Sequence, residues 1–169
     1  MKKSFILKTV VLAMITYGSV VQAADWYGTN AFSNTAAYYF DRSSVVKSNG
    51  NITLWVKTVK DTKSEISHGV YSYASKNTYF CSTKSSQNTF ESQYGKNGDF
   101  IKSFPEVGPI EPIIPGSVGE DMLKIVCSPN FPNDLSNKNY YKISDGDIFK
   151  DNQSFYDRRR AAQNDPAPK

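Results

Sequence analysis

Histidine occurs once in this chain, at His68, and cysteine only twice, at Cys81 and Cys127. One histidine excludes the paired-histidine metal patterns, and no Cys-x-x-Cys occurs, so the spacings of a zinc-type site are absent. There is no glycine-rich phosphate loop, and no serine sits in a nucleophile elbow. Asp145-Gly146-Asp147 resembles a fragment of a calcium loop, but the remaining ligand positions are unfilled and a simple turn is the better reading. Nothing singles out a pair of carboxylates for glycoside chemistry. A lone imidazole in a polar stretch, as at His68, is ordinarily a solvated side chain. The expectation is a protein with no enzymatic activity, no cofactor and no metal.

Acid is missing from the N-terminus, where none precedes Asp25. Lys2 and Lys3 open the chain, Phe5 to Val21 is mostly apolar, and Val21-Gln22-Ala23 supplies the residues a signal peptidase reads. That tripartite pattern predicts a signal peptide over residues 1–23, with cleavage between Ala23 and Ala24. An uncleaved anchor is the alternative, but the apolar core falls short of the ~20 residues that span a bilayer. No cysteine lies near the cleavage site, so no lipid is expected there, and no later stretch is long and apolar enough to cross a membrane. The expected destination is the periplasm, the outer cell surface or the medium. Removing a leader with three lysines and no acid leaves 17 basic and 16 acidic residues, a net charge of +1. A nearly neutral chain is not expected to bind nucleic acid, which needs a basic face against the phosphates.

Two cysteines in a small exported domain ordinarily pair, and two buried free thiols fit that compartment less well. A Cys81–Cys127 bond closes a loop of about 46 residues, worth about 4 kcal/mol in the chain-entropy model.

The exported part reads as β first and helical later. Ala36 to Asp41 is a clear strand, and Asn49-Gly50 is a tight-turn signal because both residues tolerate positive φ. Residues 36–47 and 52–60 therefore form one hairpin, with Ile52, Leu54 and Val56 on one face and Thr53, Trp55 and Lys57 on the other. Asp61 to His68 is polar and reads as a loop or an edge. Short strands follow at 70–74, 78–85, 89–94 and 100–104, with Lys76-Asn77 and a second Asn-Gly turn, Gly95 to Gly98, between them. Pro105 to Pro115 holds four prolines and is expected to be irregular. Ser117 and Glu120 form a capping box, and Val118, Met122, Ile125 and Val126 recur at helical spacing, which predicts a helix over 117–127. Residues 129–169 read as a polar extension, with a short strand at 140–143, a helical turn over 155–163 and a disordered end from Asn164.

The segments "YYFDRSSVVKSNGNITLWVK", "TYFCSTK", "FESQYGKNGDFIKS" and "IIPGSVGEDMLKIVC", taken in that order, resemble the surface-adhesin protein E family of Gram-negative bacteria. The resemblance covers roughly residues 25–128 and makes 24–128 the expected domain. It implies an α+β, mainly β fold: a twisted antiparallel sheet of about six strands with a short C-terminal helix tied on by the disulfide. It also implies display at the outer membrane and binding of host matrix or plasma proteins. Two departures are visible: no lipid-attachment cysteine, and no strong basic cluster in the segment before the first cysteine, where Asp61 to Asn77 offers only Lys63, His68 and Lys76, diluted by Asp61 and Glu65.

Aromatic residues are abundant, with eleven Tyr, ten Phe and two Trp. Tyr38, Phe40, Trp55, Tyr71, Tyr73, Tyr79 and Phe80 cannot all share one buried face of a sheet. Cross-strand aromatic pairs are the plainer account, and an exposed recognition patch is the sharper one. The segment Asp61–Asn77 is the candidate recognition loop, with Lys63, His68, Tyr71, Tyr73 and Lys76 as the residues expected to meet a protein partner. That partner is a host matrix or plasma protein or an envelope protein, and a homodimer is open. The competing expectation is a small periplasmic enzyme inhibitor of the lysozyme-inhibitor kind, built on the same disulfide-stapled β domain.

Overall fold

The computed structural model describes residues 23–64, 67–133 and 140–164. The expected leader lies outside the described residues except for Ala23, as do 134–139 and 165–169. The chain runs β1 (Trp26–Phe32), β2 (Ala36–Ser48), β3 (Asn51–Lys60), β4 (Ser72–Phe80), β5 (Ser85–Tyr94), β6 (Phe100–Phe104), β7 (Glu111–Pro112), α1 (Val118–Val126), β8 (Tyr140–Lys142) and α2 (Ile148–Asn164). The strands form one antiparallel sheet in the order β6-β5-β4-β3-β2-β1-β8, with β7 also paired to β5. This is the α+β, mainly β class expected, but with eight strands rather than about six.

The turns follow from local chemistry. Asn49 and Gly50 both take positive φ, at 50° and 75°, and close the β2–β3 hairpin. Gly98 takes φ 80° in the turn before β6. Lys76-Asn77, read from sequence as a break, lies inside β4. The ladder to β5 absorbs one extra residue there, since Lys76 faces Phe90 and Asn77 faces Asn88, which leaves Thr89 as a bulge. The reversal falls instead at Cys81–Lys84, where Lys84 has φ 52°. Pro105 to Pro115 is not wholly irregular, because Glu111–Pro112 pairs with Ser85 and Ser86.

Both faces of the sheet carry a core. Phe40, Ile52, Leu54, Val56 and Tyr79 lie on one face, under Met122, Leu123, Ile125 and Val126 of α1 and beside Phe131. Ser117 accepts the Glu120 N–H at 3.3 Å, as a capping box requires, while Glu120 returns its bond to Gly116 N–H at 2.9 Å, one residue further out. That bond, with Lys124 second, holds the Glu120 carboxyl below the usual carboxylate range. The Cys81–Cys127 disulfide is formed and fastens the end of α1 to the end of β4.

The opposite face buries Trp26, Ala37, Tyr39 and Val59 against Ile148 and Tyr156 of α2. Neighbours in sequence thus serve opposite cores, Trp26 and Tyr27 in β1, Tyr39 and Phe40 in β2. This divides much of the aromatic excess between two interiors. The helical turn expected at 155–163 is a helix of 17 residues. Its buried positions, Ile148, Asn152 and Tyr156, recur every four residues, and one of the three is polar. Asn152 donates to the Lys60 carbonyl at 2.9 Å and the Tyr156 hydroxyl to the Ser33 carbonyl at 2.9 Å, so hydrogen bonds as well as apolar contacts dock α2.

Candidate protein-binding surface

The segment 61–77 does not present its five candidate residues together. Asp61 is buried, and its carboxylate pairs with Arg160 of α2. Thr62 gives its N–H and hydroxyl to the Gln153 side chain at 3.1 and 2.5 Å. Lys63 reaches Asp157 at 2.8 Å, and with Arg160 holds that carboxyl below its ordinary range. The front of the loop is therefore committed to α2. His68 is exposed in a single 3-10 turn with φ 55°. Tyr71 is half-buried, and its backbone continues the ladder between Lys60 and Tyr94. Tyr73 lies opposite Thr58 on the α1 face, with the Lys60 ammonium 5.1 Å from its ring centre. Lys76 lies opposite Trp55 on the other face, so Tyr73 and Lys76 point away from one another. Ala23 and Ala24 are exposed just ahead of β1.

A different segment carries the exposed apolar surface. Nine large apolar side chains are well exposed among the described residues, and six of them fall between 100 and 114: Phe100, Ile101, Phe104, Val107, Ile110 and Ile114. Phe100, Val107 and Ile114 are 62%, 65% and 71% exposed. Single exposed apolar residues are ordinary, but six within one fifteen-residue stretch of chain are a concentration.

The fold holds this segment in place. β6 is the terminal strand of the sheet, and among the described residues no strand pairs with its outer side. All five of its side chains are exposed. After Pro105 the chain turns back along β5. Gly108 N–H donates to the Asn88 carbonyl at 2.8 Å, the Gln87 amide to the Gly108 carbonyl at 2.9 Å, and Ile113 N–H to the Lys84 carbonyl at 2.9 Å. The prolines restrict the backbone between these anchors. A groove of about 510 Å³ lies between β5 and this return, lined by Glu91, Gln93, Phe104, Glu106, Val107 and Pro109 with Asn88 and Gly108. Its lining holds two carboxylates and no basic side chain. The sequence signal for this surface is the run of Val107, Ile110, Ile113 and Ile114 among four prolines, large apolar residues where the chain cannot form a core element.

The model of the surface-adhesin protein E family matches residues 26–128, more than half of the chain and the whole span from β1 to the end of α1. The chain belongs to the surface-adhesin protein E family. No curated protein and no solved structure shows a significant match to it. Family membership makes this an adhesin-like protein of the cell surface or envelope. Among the described residues no helix is long and apolar enough to cross a membrane. In this member of the protein E family, β8 and α2 lie beyond the matched span: β8 extends the sheet beside β1, and α2 closes over the face opposite α1.

Proposed function

We propose that this protein is an exported, non-catalytic binding protein of the envelope that captures an extended segment of another protein along the outer edge of β6. The exposed apolar group at 100–114 on an unpaired edge strand carries this reading. An edge strand offers a row of backbone N–H and C=O groups, and strand addition supplies affinity while flanking side chains supply selectivity. The groove lined by Glu91 and Glu106 favours a segment that combines apolar residues with a lysine or arginine. The edge is blunted against indiscriminate pairing by Lys102, whose ammonium lies 4.7 Å from the Phe104 ring centre. Both cysteines are held in the disulfide, which supports the absence of thiol catalysis. Export follows from the N-terminal pattern, with cleavage after Ala23. Lys63, Tyr73 and Lys76 then act as parts of the scaffold or its rim, not as one contact site.

The test is site-specific photocrosslinking in intact cells and in mixtures with host matrix proteins. A benzophenone side chain at Ile101, Val107 or Ile110 should capture a partner that the same group at exposed Val46 does not. Ile101→Asp and Val107→Asp, each folded by circular dichroism, should weaken capture at least about tenfold. Capture that is equal at Val46, or unchanged in both aspartate variants, refutes the surface.

A further inference from the structure

A cleft of about 630 Å³ lies on the α2 face of the sheet. Its floor is Lys57 of β3 with Ser72 and Ala74 of β4, the last two too small to fill the space. One wall is the first turn of α2 and the 3-10 turn before it, through Asp145, Gly146, Ile148 and Phe149. The opposite wall is Tyr94 with the following turn, Lys96, Asn97 and Gly98. This volume falls within the range of small-molecule sites, which run from roughly 300 to 1,000 Å³.

The charges in the cleft are ordered. Lys57 lies with its ammonium 4.7 Å from the ring centre of Trp26 and is paired with Asp145. Its side chain is 20% exposed, so this cation is fixed in place before any ligand arrives. Lys96 stands on the opposite rim. Two lysines against the one carboxylate of Asp145 leave an excess of one positive charge in the lining. Ala24 also lines the cleft, so cleavage after Ala23 would add its α-ammonium to that excess.

We propose that this cleft binds a small organic carboxylate with a flat apolar body, its carboxylate between Lys57 and Lys96 and its body between Tyr94 and Phe149. The surplus of positive charge matches an anionic carboxylate, and the aromatic walls match a flat body that the small floor residues leave room for. The cleft adjoins the start of β6 through Tyr94, whose ring meets that of Phe100 at 6.2 Å between centres, but it opens on the α2 face, and this inference rests on no part of the strand-addition reading at the outer edge of β6.

The experiment titrates the exported protein, isotopically labelled, with 3-phenylpropionate and with its neutral amide, followed by nuclear magnetic resonance. The acid should shift the Trp26 indole and the Ser72 and Ala74 amides and bind at least about tenfold more tightly than the amide. Lys96→Met should lower the affinity for the acid and leave that for the amide, and Asp145→Asn, by releasing Lys57, should raise it. Ala74→Leu should abolish binding of both by occupying the floor. Equal affinity of acid and amide, shifts confined to other parts of the protein, no shifts at millimolar probe, or full binding by a folded Ala74→Leu variant would each overturn the proposal, and none of these results bears on crosslinking at β6.

Discussion

Gly28 is a buried position where one methyl group has a calculable effect. In the ladders it faces Tyr39 of β2 on one side and Tyr141 of β8 on the other. Both tyrosine hydroxyls donate to the same oxygen of Asp151 in α2, at 3.1 and 2.6 Å. The Tyr141 ring leans over Gly28, and a Cβ there would stand 2.4 Å from Tyr141 Cζ and 2.6 Å from its hydroxyl oxygen. Alanine must therefore rotate the ring away and break its bond to Asp151. A hydrogen bond to a charged group is worth ~1.5–3 kcal/mol. Tyr141 is 46% exposed, so about 1.5 kcal/mol is the fitting figure once solvent competition is counted. Against this, replacing glycine within a strand gains ~0.5–1 kcal/mol by restricting the unfolded chain. Gly28→Ala should thus destabilise the protein by about 1 kcal/mol. In a Tyr141→Ala background the obstacle is gone, and the same change should stabilise by about 0.5 kcal/mol. Urea unfolding of the four proteins in this cycle measures the coupling directly. A cost for Gly28→Ala that is the same in both backgrounds would show that the Tyr141 ring is not what excludes a side chain.

Replacing both cysteines with serine should lower stability by ~2–5 kcal/mol, read from urea unfolding. Non-reducing peptide mapping of the native protein should recover Cys81 and Cys127 on one crosslinked fragment. Mass measurement of the exported protein should give an N-terminus at Ala24, and a chain that retains Met1 would contradict cleavage. Burial pushes the Tyr156 hydroxyl up to about 12, while in the unfolded chain it titrates near 10. The unfolded state then loses this proton first, so stability should hold below that range and fall as pH rises from about 10 to 12, and Tyr156→Phe should flatten part of that fall.

Much of the sheet is legible from residues alone, because its signals are local. The Asn49-Gly50 turn, the Ser117 cap and the alternation of Ile52, Leu54 and Val56 each state a backbone conformation or a face directly. Lys76-Asn77 misleads because two polar residues resemble a turn, whereas a bulge at Thr89 on the neighbouring strand lets β4 run through them. β1 is hard to see because Gly28, Thr29 and Asn30 interrupt its apolar pattern, though pairing on both sides secures it. The extent of α2 is hidden for a related reason. Its central buried residue is Asn152, whose contribution is a hydrogen bond to Lys60 that no hydrophobic periodicity records. From sequence the recognition surface falls on Lys63, His68, Tyr71, Tyr73 and Lys76 of the segment 61–77. Lys63 bonds to α2, and which way Tyr73 and Lys76 point depends on strand register, which the polar flanks do not fix. The exposed group at 100–114 depends on something a sequence does not display, that among the described residues no strand pairs with the outer side of β6.

The disulfide has a topological consequence. Cys81 and Cys127 close a covalent ring that contains β5, β6, the proline-restricted return and α1. The exposed apolar residues all lie within that ring except Phe32, Val46 and Tyr141. A protease that cuts the chain once between residues 82 and 126 therefore opens the ring without separating the molecule, and both cut ends stay joined through the sulfurs. A nicked molecule keeps its two halves in one covalent unit, which suits a protein whose most accessible segment faces outward.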